Sequence, residues 1–327
     1  MYDLFGDIKQ NNLLKRANCS NNYTAPHIPY VGNKCAIVCY LIYIFPKCKH
    51  FLDACCGGGS VGYSMFAYGR AERITMNDIN KPLIDLHIAL NNGTHNINFE
   101  HPKFVSRDSY FYSIDRIKSG KYTPLDVAIS YCYGFGNKAG NYLFEKNKEK
   151  LKEIAHNMVC SKSLKERRLY YMKFIKQLLE FLENCNKLEN ELGLQQLERL
   201  QQLEQLEQLQ QLERLQQLER LQQLKFMNKN IYDIDYSIYD CVYFDIPYDT
   251  DNKKIYYNIK FDHAKFWDFF MSLPVLAFAS EYKAPEHIPL VKSINKRVLM
   301  QNKKNNNMQI GKEKVYCNDN NYKIYNK

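Results

Sequence analysis

Three stretches of the chain carry side chains whose types and order could do chemistry. In Val242–Tyr248 (VYFDIPY) an apolar strand runs into Asp245, Ile246, Pro247 and Tyr248, which place a carboxylate, a rigid turn and an aromatic ring in succession. The carboxyl edge of the strands is where open α/β sheets bind ligands. In Phe51–Ser60 (FLDACCGGGS) Asp53 ends a second apolar strand, and a glycine cluster containing Gly57 and Gly59 leads into a helix. Glycines let the backbone approach a ligand, and a helix N-terminus favours negative charge. A phosphate loop is excluded, because no Gly-Lys-Ser/Thr follows, and the dinucleotide spacing GxGxxG is also missing. Taken alone, the turn suits a plain strand–helix corner equally well. In Met76–Asn80 (MNDIN) Asp78 ends the next strand, where a carboxylate accepts two hydrogen bonds from a ribose diol or caps a helix. Together the glycine turn and this acid point to an adenosine-containing cofactor.

The elements that position these residues follow from apolar patterning. Val31–Phe45 reads as a helix, His50–Cys56 as a strand, the residues after the glycines as a helix, and Arg73–Asn80 as a strand before another helix. Further apolar strands are expected at Leu125–Phe135, Asp240–Tyr248 and Pro274–Tyr282, with a closing hairpin over Leu290–Cys317. Strands alternating with helices across short joins predict an α/β fold with a parallel sheet covered on both faces. Between Asn137 and Asn230 the sequence turns helical and ends in LQQLER-type hexapeptides. A leucine stands at every third position from Leu194 to Leu224. A step of three turns a helix by about 300°, so this stripe winds round the helix instead of forming a coiled-coil seam. A direct chemical role for the repeat is not expected.

Composition sets the outer bounds. The chain has 327 residues, 45% of them hydrophobic and 24% charged, which suits a folded globular protein. No apolar run reaches the ~18 residues of a membrane span, and the opening MYDLFGDIKQNN lacks the plan of a signal peptide. Eleven cysteines without a CxxC pair predict reduced thiols in a cytoplasmic protein, with no metal site and no membrane contact. The eight histidines show no triad or metal spacing. The net charge of +10 favours a polyanionic partner. Between Lys138 and Lys176 there are 9 Lys and 2 Arg against 4 Glu, a balance of +7, which suits a solvated helix face or a phosphate-binding surface.

The motif Asp245-Ile246-Pro247-Tyr248 resembles the Asp-Pro-Pro-Tyr signature of the amino-methyltransferases that use S-adenosylmethionine. The chain is most similar to the alpha-class DNA adenine-N6 methylase family, because three more pieces match in that family's order. Pro29–Lys34 (PYVGNK) resembles its Trp-Ala-Gly-Gly-Lys motif, Phe51–Val61 its Glu-Pro-Phe-x-Gly-x-Gly-Ser motif, and MNDIN its Ala-Asp-Ile-Asn motif. The matches frame residues 25–135 and 230–317. The departures are Ile246 for the first proline, Ala54 and Cys55 for Pro-Phe, and Tyr30 for Trp. The resemblance implies a Rossmann-like S-adenosylmethionine methyltransferase sheet, mostly parallel with an antiparallel closing hairpin, carrying a large helical insertion. Residues 1–136 and 229–327 form the catalytic domain on this reading. Residues 137–228 form the insertion, with a target-recognition segment at 137–190 and the repeat at 194–224.

By the same resemblance, Asp245 and the Ile246 carbonyl accept hydrogen bonds from the adenine amino group, Pro247 stiffens the turn, and Tyr248 stacks on the base flipped out of double-stranded DNA. Lys34 pairs with the cofactor's carboxylate, with Tyr30 near it. Gly57 and Gly59 line the cofactor's passage, and Asp53 lies near its amino group. Asp78 holds the ribose, and Asp233, or its neighbour Asp235, meets the cofactor adenine. Lys138, Arg167 and Arg168 are candidate DNA contacts, with Tyr170 and Tyr171 beside them. The loop Tyr131–Phe144 and the segment Ser280–Tyr282 are weaker candidates for lining the cleft. No Pro-Cys dipeptide of the cytosine-C5 type is present. A cognate restriction nuclease is an expected partner if the enzyme is half of a restriction–modification pair. Cytosine N4 or RNA adenine remains an alternative acceptor, and Ile246 leaves open a DNA-binding or scaffold protein with a disabled core.

Overall fold

The computed structural model describes residues 28–95, 97, 103–161, 163–185, 224–248, 261–297, 310–319 and 322. Two compact units emerge from its contacts. The first comprises Gly32–Ile84 and the described chain after Gln223, and the second comprises Ile28–Val31 and the described residues between Asp85 and Gln222. The described residues of 85–136 fall in the second unit.

The first unit is built on a seven-stranded sheet. Its strands are β1 (Cys48–Asp53), β2 (Ala71–Asn77), β3 (Leu224–Met227), β4 (Cys241–Phe244), β5 (Leu276–Glu281), β6 (Leu290–Arg297) and β7 (Ile310–Cys317), in the order β3-β2-β1-β4-β5-β7-β6. The first five in that order run parallel, β7 runs antiparallel to β5, and β6 antiparallel to β7. All four residues of β4 are buried, as are the last four of β1 and of β2. Such continuous apolar runs belong to parallel strands covered on both faces. The chain grows outward from β1 to β2 and β3, then returns to place β4 on the other side of β1. Such a reversal, here between β1 and β4, is the switch point beside whose carboxyl strand ends open α/β sheets bind ligands. Asp53 and the residues after Phe244 lie at that edge.

Helices α1 (Val38–Ile44), α2 (Ser60–Ala67) and α8 (His263–Ser272) belong to this unit, and α3 (Lys81–Asn91) begins in it. Phe266, Trp267 and Phe270 of α8 pack with Leu52, Val242, Phe244 and Ile246 in one apolar cluster. The second unit holds α4 (Arg107–Lys118), α5 (Pro124–Cys132), α6 (Glu149–Val159) and α7 (Leu164–Cys185). Among the described residues no helix is long and apolar enough to cross a membrane.

The sheet is the Rossmann-like, mostly parallel arrangement expected, with its antiparallel hairpin at Leu290–Cys317. Three readings need correction. Leu125–Phe135 is not a strand, because most of it lies in α5, where Thr123 and Asp126 form a reciprocal capping box and Pro124 occupies the first turn. Those caps start a helix whose apolar side chains then bury, so the β-branched run does not decide the element. The helix expected over Val31–Phe45 is confined to Val38–Ile44. Leu224, counted as the last leucine of the repeat, opens β3, and its partner across β2 is Ile74. The rest of the repeat, 194–223, lies outside the described residues.

Candidate active site

The ladder between β1 and β4 sets Asp53 opposite Tyr243, so Asp245 emerges two residues beyond the level of Asp53. Ala54 donates its N–H to the Tyr243 carbonyl at 2.8 Å, which carries the pairing past the end of β1. Burial raises the Cys55 thiol and the nearby Asp245 backbone lowers it, so the acid lies against the glycine turn. Lys34 reaches this point from the other side. Its N–H donates to Ser60 Oγ at 3.1 Å, and its ammonium lies 2.5 Å from each oxygen of Asp245. Lys34 is 3% exposed in its side chain and Asp245 22%, so the carboxylate is the member of the pair that opens to solvent. The fully buried Glu313 of β7 lies 3.5 Å from the same ammonium and accepts a hydrogen bond from the Tyr248 hydroxyl. The Tyr282 ring meets the Tyr248 ring edge-on at 4.6 Å. On the far side of the turn, His263 Nε2 lies 2.8 Å from the Pro247 carbonyl and 3.6 Å from the buried Glu281.

The glycine turn is held by two acids. Gly57, at φ +50°, donates its N–H to Asp78 Oδ2 at 2.9 Å, and Asn80 donates to Oδ1 at 2.9 Å. Asp78 is thus fixed by the glycine turn and by Asn80, and each of its oxygens keeps room for a further donor. The cap of the helix that follows is Asn80, whose Oδ1 accepts the Leu83 N–H at 3.4 Å. Asn77 ties the ends of β1 and β3 together by donating to the carbonyls of Ala54 (2.9 Å) and Lys229 (3.0 Å). Asp53 Oδ2 accepts the Gly62 N–H at 2.9 Å, while its Oδ1 is buried with no hydrogen-bond partner among the described residues. Burial, aided by Asp245 and Asp78 and opposed by the Gly62 N–H and Lys34, pushes the Asp53 carboxyl up to about 8. Burial also raises Asp78, against the N–H bonds from Asn80 and Gly57.

A carboxyl raised in the folded state from a usual value near 4 binds its proton more tightly there than in the unfolded chain. Its contribution is therefore complete below about pH 4 and is lost as pH rises through about 8. Relative to Asp53→Asn, the wild-type unfolding free energy should fall by a few kcal/mol between about pH 5 and 8. Denaturant melts of both proteins across that range check this, and a pH-independent difference would contradict it.

The other sequence candidates distribute as follows. Ile246 is 2% exposed and packs into the apolar cluster under β4, so its side chain takes no part in polar contacts. Gly59 caps α2 in the left-handed region at φ +83°. Asp233 is exposed in a short turn, and the exposed Asp235 accepts bonds from the N–H and hydroxyl of Ser237 in its own loop. Tyr30 lies in the second unit, tilted against Tyr131 at 5.5 Å. Lys138 is half-buried in the tight loop that pairs Gly134 with Tyr142. Arg167 and Arg168 are exposed on α7 and, with Met158, Leu164 and Tyr171, line a hollow on the second unit. Burial raises the thiols of Cys55 and Cys56 well above their usual range, which keeps them protonated. Among the described residues no cluster of three His, Cys, Asp or Glu is placed to hold a metal ion. Glu313 and His263 were not singled out from sequence. For Glu313 the available signal is alternation, since Glu313 and Val315 share the buried face of β7 while Lys312 is exposed.

A parallel sheet with its order reversing beside an acid–turn–aromatic motif, closed by an antiparallel hairpin, defines a Rossmann-like methyltransferase. Residues 30–283 match the model of the D12 class N6 adenine-specific DNA methyltransferases, and the chain belongs to that family. It is thereby a DNA methyltransferase, with adenine N6 as the family's acceptor. Among solved structures, it is similar to the rRNA methyltransferase aviRa from Streptomyces viridochromogenes at 10% identity, over 95% of this chain and 92% of that one, with a TM-score of 0.33. No curated protein matches the chain. The family match includes Lys34, Asp53, Asp78 and Asp245 and ends before β6 and β7.

Proposed function

We propose that the chain transfers a methyl group from S-adenosylmethionine to N6 of an adenine swung out of double-stranded DNA at a specific sequence. The observation that carries this reading is the placement of Asp245 and the Ile246 carbonyl at the same sheet edge as the glycine turn, two residues beyond the pairing of Asp53 with Tyr243. The fit to the cofactor rests on Asp53, whose buried, unpartnered Oδ1 suits a cationic donor such as the methionine ammonium. Asp78 offers its remaining acceptor capacity to the ribose hydroxyls, and Gly57 and Gly59 would line the passage between the two acids with their backbone. When bound, S-adenosylmethionine supplies an electrophilic methyl.

The exocyclic amine of adenine shares its lone pair with the ring and is a weak nucleophile. Asp245 and the Ile246 carbonyl would accept its two N–H bonds and localise that pair toward the methyl. Positioning and electrostatics then do the work, with no covalent enzyme intermediate. Lys34 binds and orients the Asp245 carboxylate. Tyr248 would stack on the extruded base, and such stacking is worth about 1–3 kcal/mol in single-strand binders, comparable to the few kcal/mol of unstacking. Lys138, Arg167 and Arg168 are proposed phosphate contacts, which would make binding weaken with salt.

Plasmid DNA from a methylation-deficient host expressing the chain should carry N6-methyladenine at one recurring sequence. Modification of cytosine would reassign the acceptor. Cofactor binding with no DNA modification would favour the disabled-core reading to which Ile246 points.

A further inference from the structure

Glu313 lies outside the residues that match the family, on a strand far along the chain from the motif, and it is fully buried. A buried carboxylate is unfavourable unless it is partnered. Two of its partners are the Tyr248 hydroxyl, which donates to it, and the Lys34 ammonium at 3.5 Å. Both belong to the cluster around Asp245. Burial, with Asp245 and Glu313 nearby, holds the Tyr248 hydroxyl well above its usual pKa, so it stays a donor. The Tyr248 ring is thus held at three places: its hydroxyl by Glu313, one edge contact with Tyr282 at 4.6 Å, and the Lys34 ammonium 4.9 Å from its centroid. The register explains how Glu313 gets there, since Lys314 pairs with Glu281 at the carboxyl end of β5 and Glu313 is the next residue. The turn itself has one proline fewer than the family signature, so one φ is left free of a ring constraint.

We propose that Glu313 is a positioning residue for methyl transfer. It fixes the Tyr248 ring and the Lys34 ammonium so that the ring and the Asp245 carboxylate face the extruded base together, which supplies through side-chain bonds stiffness that a second proline would give. The inference rests on the reading of Asp245 and Tyr248 as the groups that contact adenine.

The test compares Glu313→Gln, Tyr248→Phe and the double variant with wild type, following kcat, the KM for S-adenosylmethionine and the ¹⁹F signal of 3-fluorotyrosine placed at position 248. Glu313→Gln keeps the side-chain volume and should lower kcat at least about tenfold, with the cofactor KM within about twofold of wild type. Tyr248→Phe removes the same bond from the other side, so the double variant should be no worse than the weaker single one. Losses that multiply, or a wild-type kcat in both single variants, overturn the proposal. If Glu313→Gln does not fold, Tyr248→Phe decides by the same criterion of low kcat at unchanged cofactor KM. The fluorine signal separates this proposal from the one beneath it. In a wild-type protein without transferase activity, a signal that still moves on Glu313→Gln supports the clamp and counts against the adenine reading. An active protein whose rate and signal both ignore the substitution removes Glu313 from the role.

Discussion

Asp245→Asn lowers kcat by about 10²–10³-fold while the fold and cofactor binding persist, because a charged acceptor aimed at the reacting amine is replaced by a neutral one. Asparagine keeps the volume and one acceptor oxygen, so the loss reports charge and hydrogen-bond strength and not a hole in the site. It also leaves Glu313 at 3.5 Å as a counter-charge for the Lys34 ammonium, so that cation does not become unpaired. The harsher Asp245→Ala removes an oxygen pair 2.5 Å from that ammonium and should cost stability as well as rate. Steady-state kinetics beside a cofactor-binding isotherm separate the two effects. An Asp245→Asn enzyme within tenfold of wild type would take Asp245 out of the acceptor role.

Gly59→Ala destabilises the first unit by about 2–5 kcal/mol. The residue sits at φ +83°, a conformation unfavourable to any side chain. An added Cβ would also come within 2.5 Å of the Tyr63 ring and 2.6 Å of Met76 Cε. Met76 has a flexible end that can yield, but Tyr63 is 1% exposed and its ring has no space to retreat into. Relief of the clash must then move the turn that carries Gly57 and its bond to Asp78. Chemical denaturation gives the stability loss, and the cofactor isotherm should weaken in parallel. A variant with the wild-type midpoint would show that the left-handed glycine is not what holds this corner.

Much of the sheet edge was legible in the chain. The apolar runs ending in Asp53, Asp78 and Asp245 marked three parallel strands and their carboxyl ends, because strands buried on both faces read as continuous apolar segments. The hairpin over Leu290–Cys317 was equally plain. Leu125–Phe135 misled, since its apolar, β-branched content resembles a strand, while the signal that decides it is the cap at Thr123 and Asp126. The strand β3 was lost because four residues at the end of a leucine repeat carry too little pattern. The pairing of Lys34 with Asp245 spans 211 positions, and that of Tyr248 with Glu313 spans 65. Spacing rules report neighbours along an element, so contacts made by folding a sheet back on itself stay invisible to them. Lys34, which the resemblance assigns to a cofactor carboxylate, lies with its ammonium 2.5 Å from the Asp245 carboxylate, a contact of the same long-range kind.

The most direct measurement incubates the purified chain with methyl-labelled S-adenosylmethionine and unmethylated duplex DNA, digests the DNA to nucleosides and identifies the labelled one. Wild type should yield labelled N6-methyladenosine of the deoxy series and Asp245→Asn almost none. Label in cytosine, or equal label from both proteins, would contradict the account.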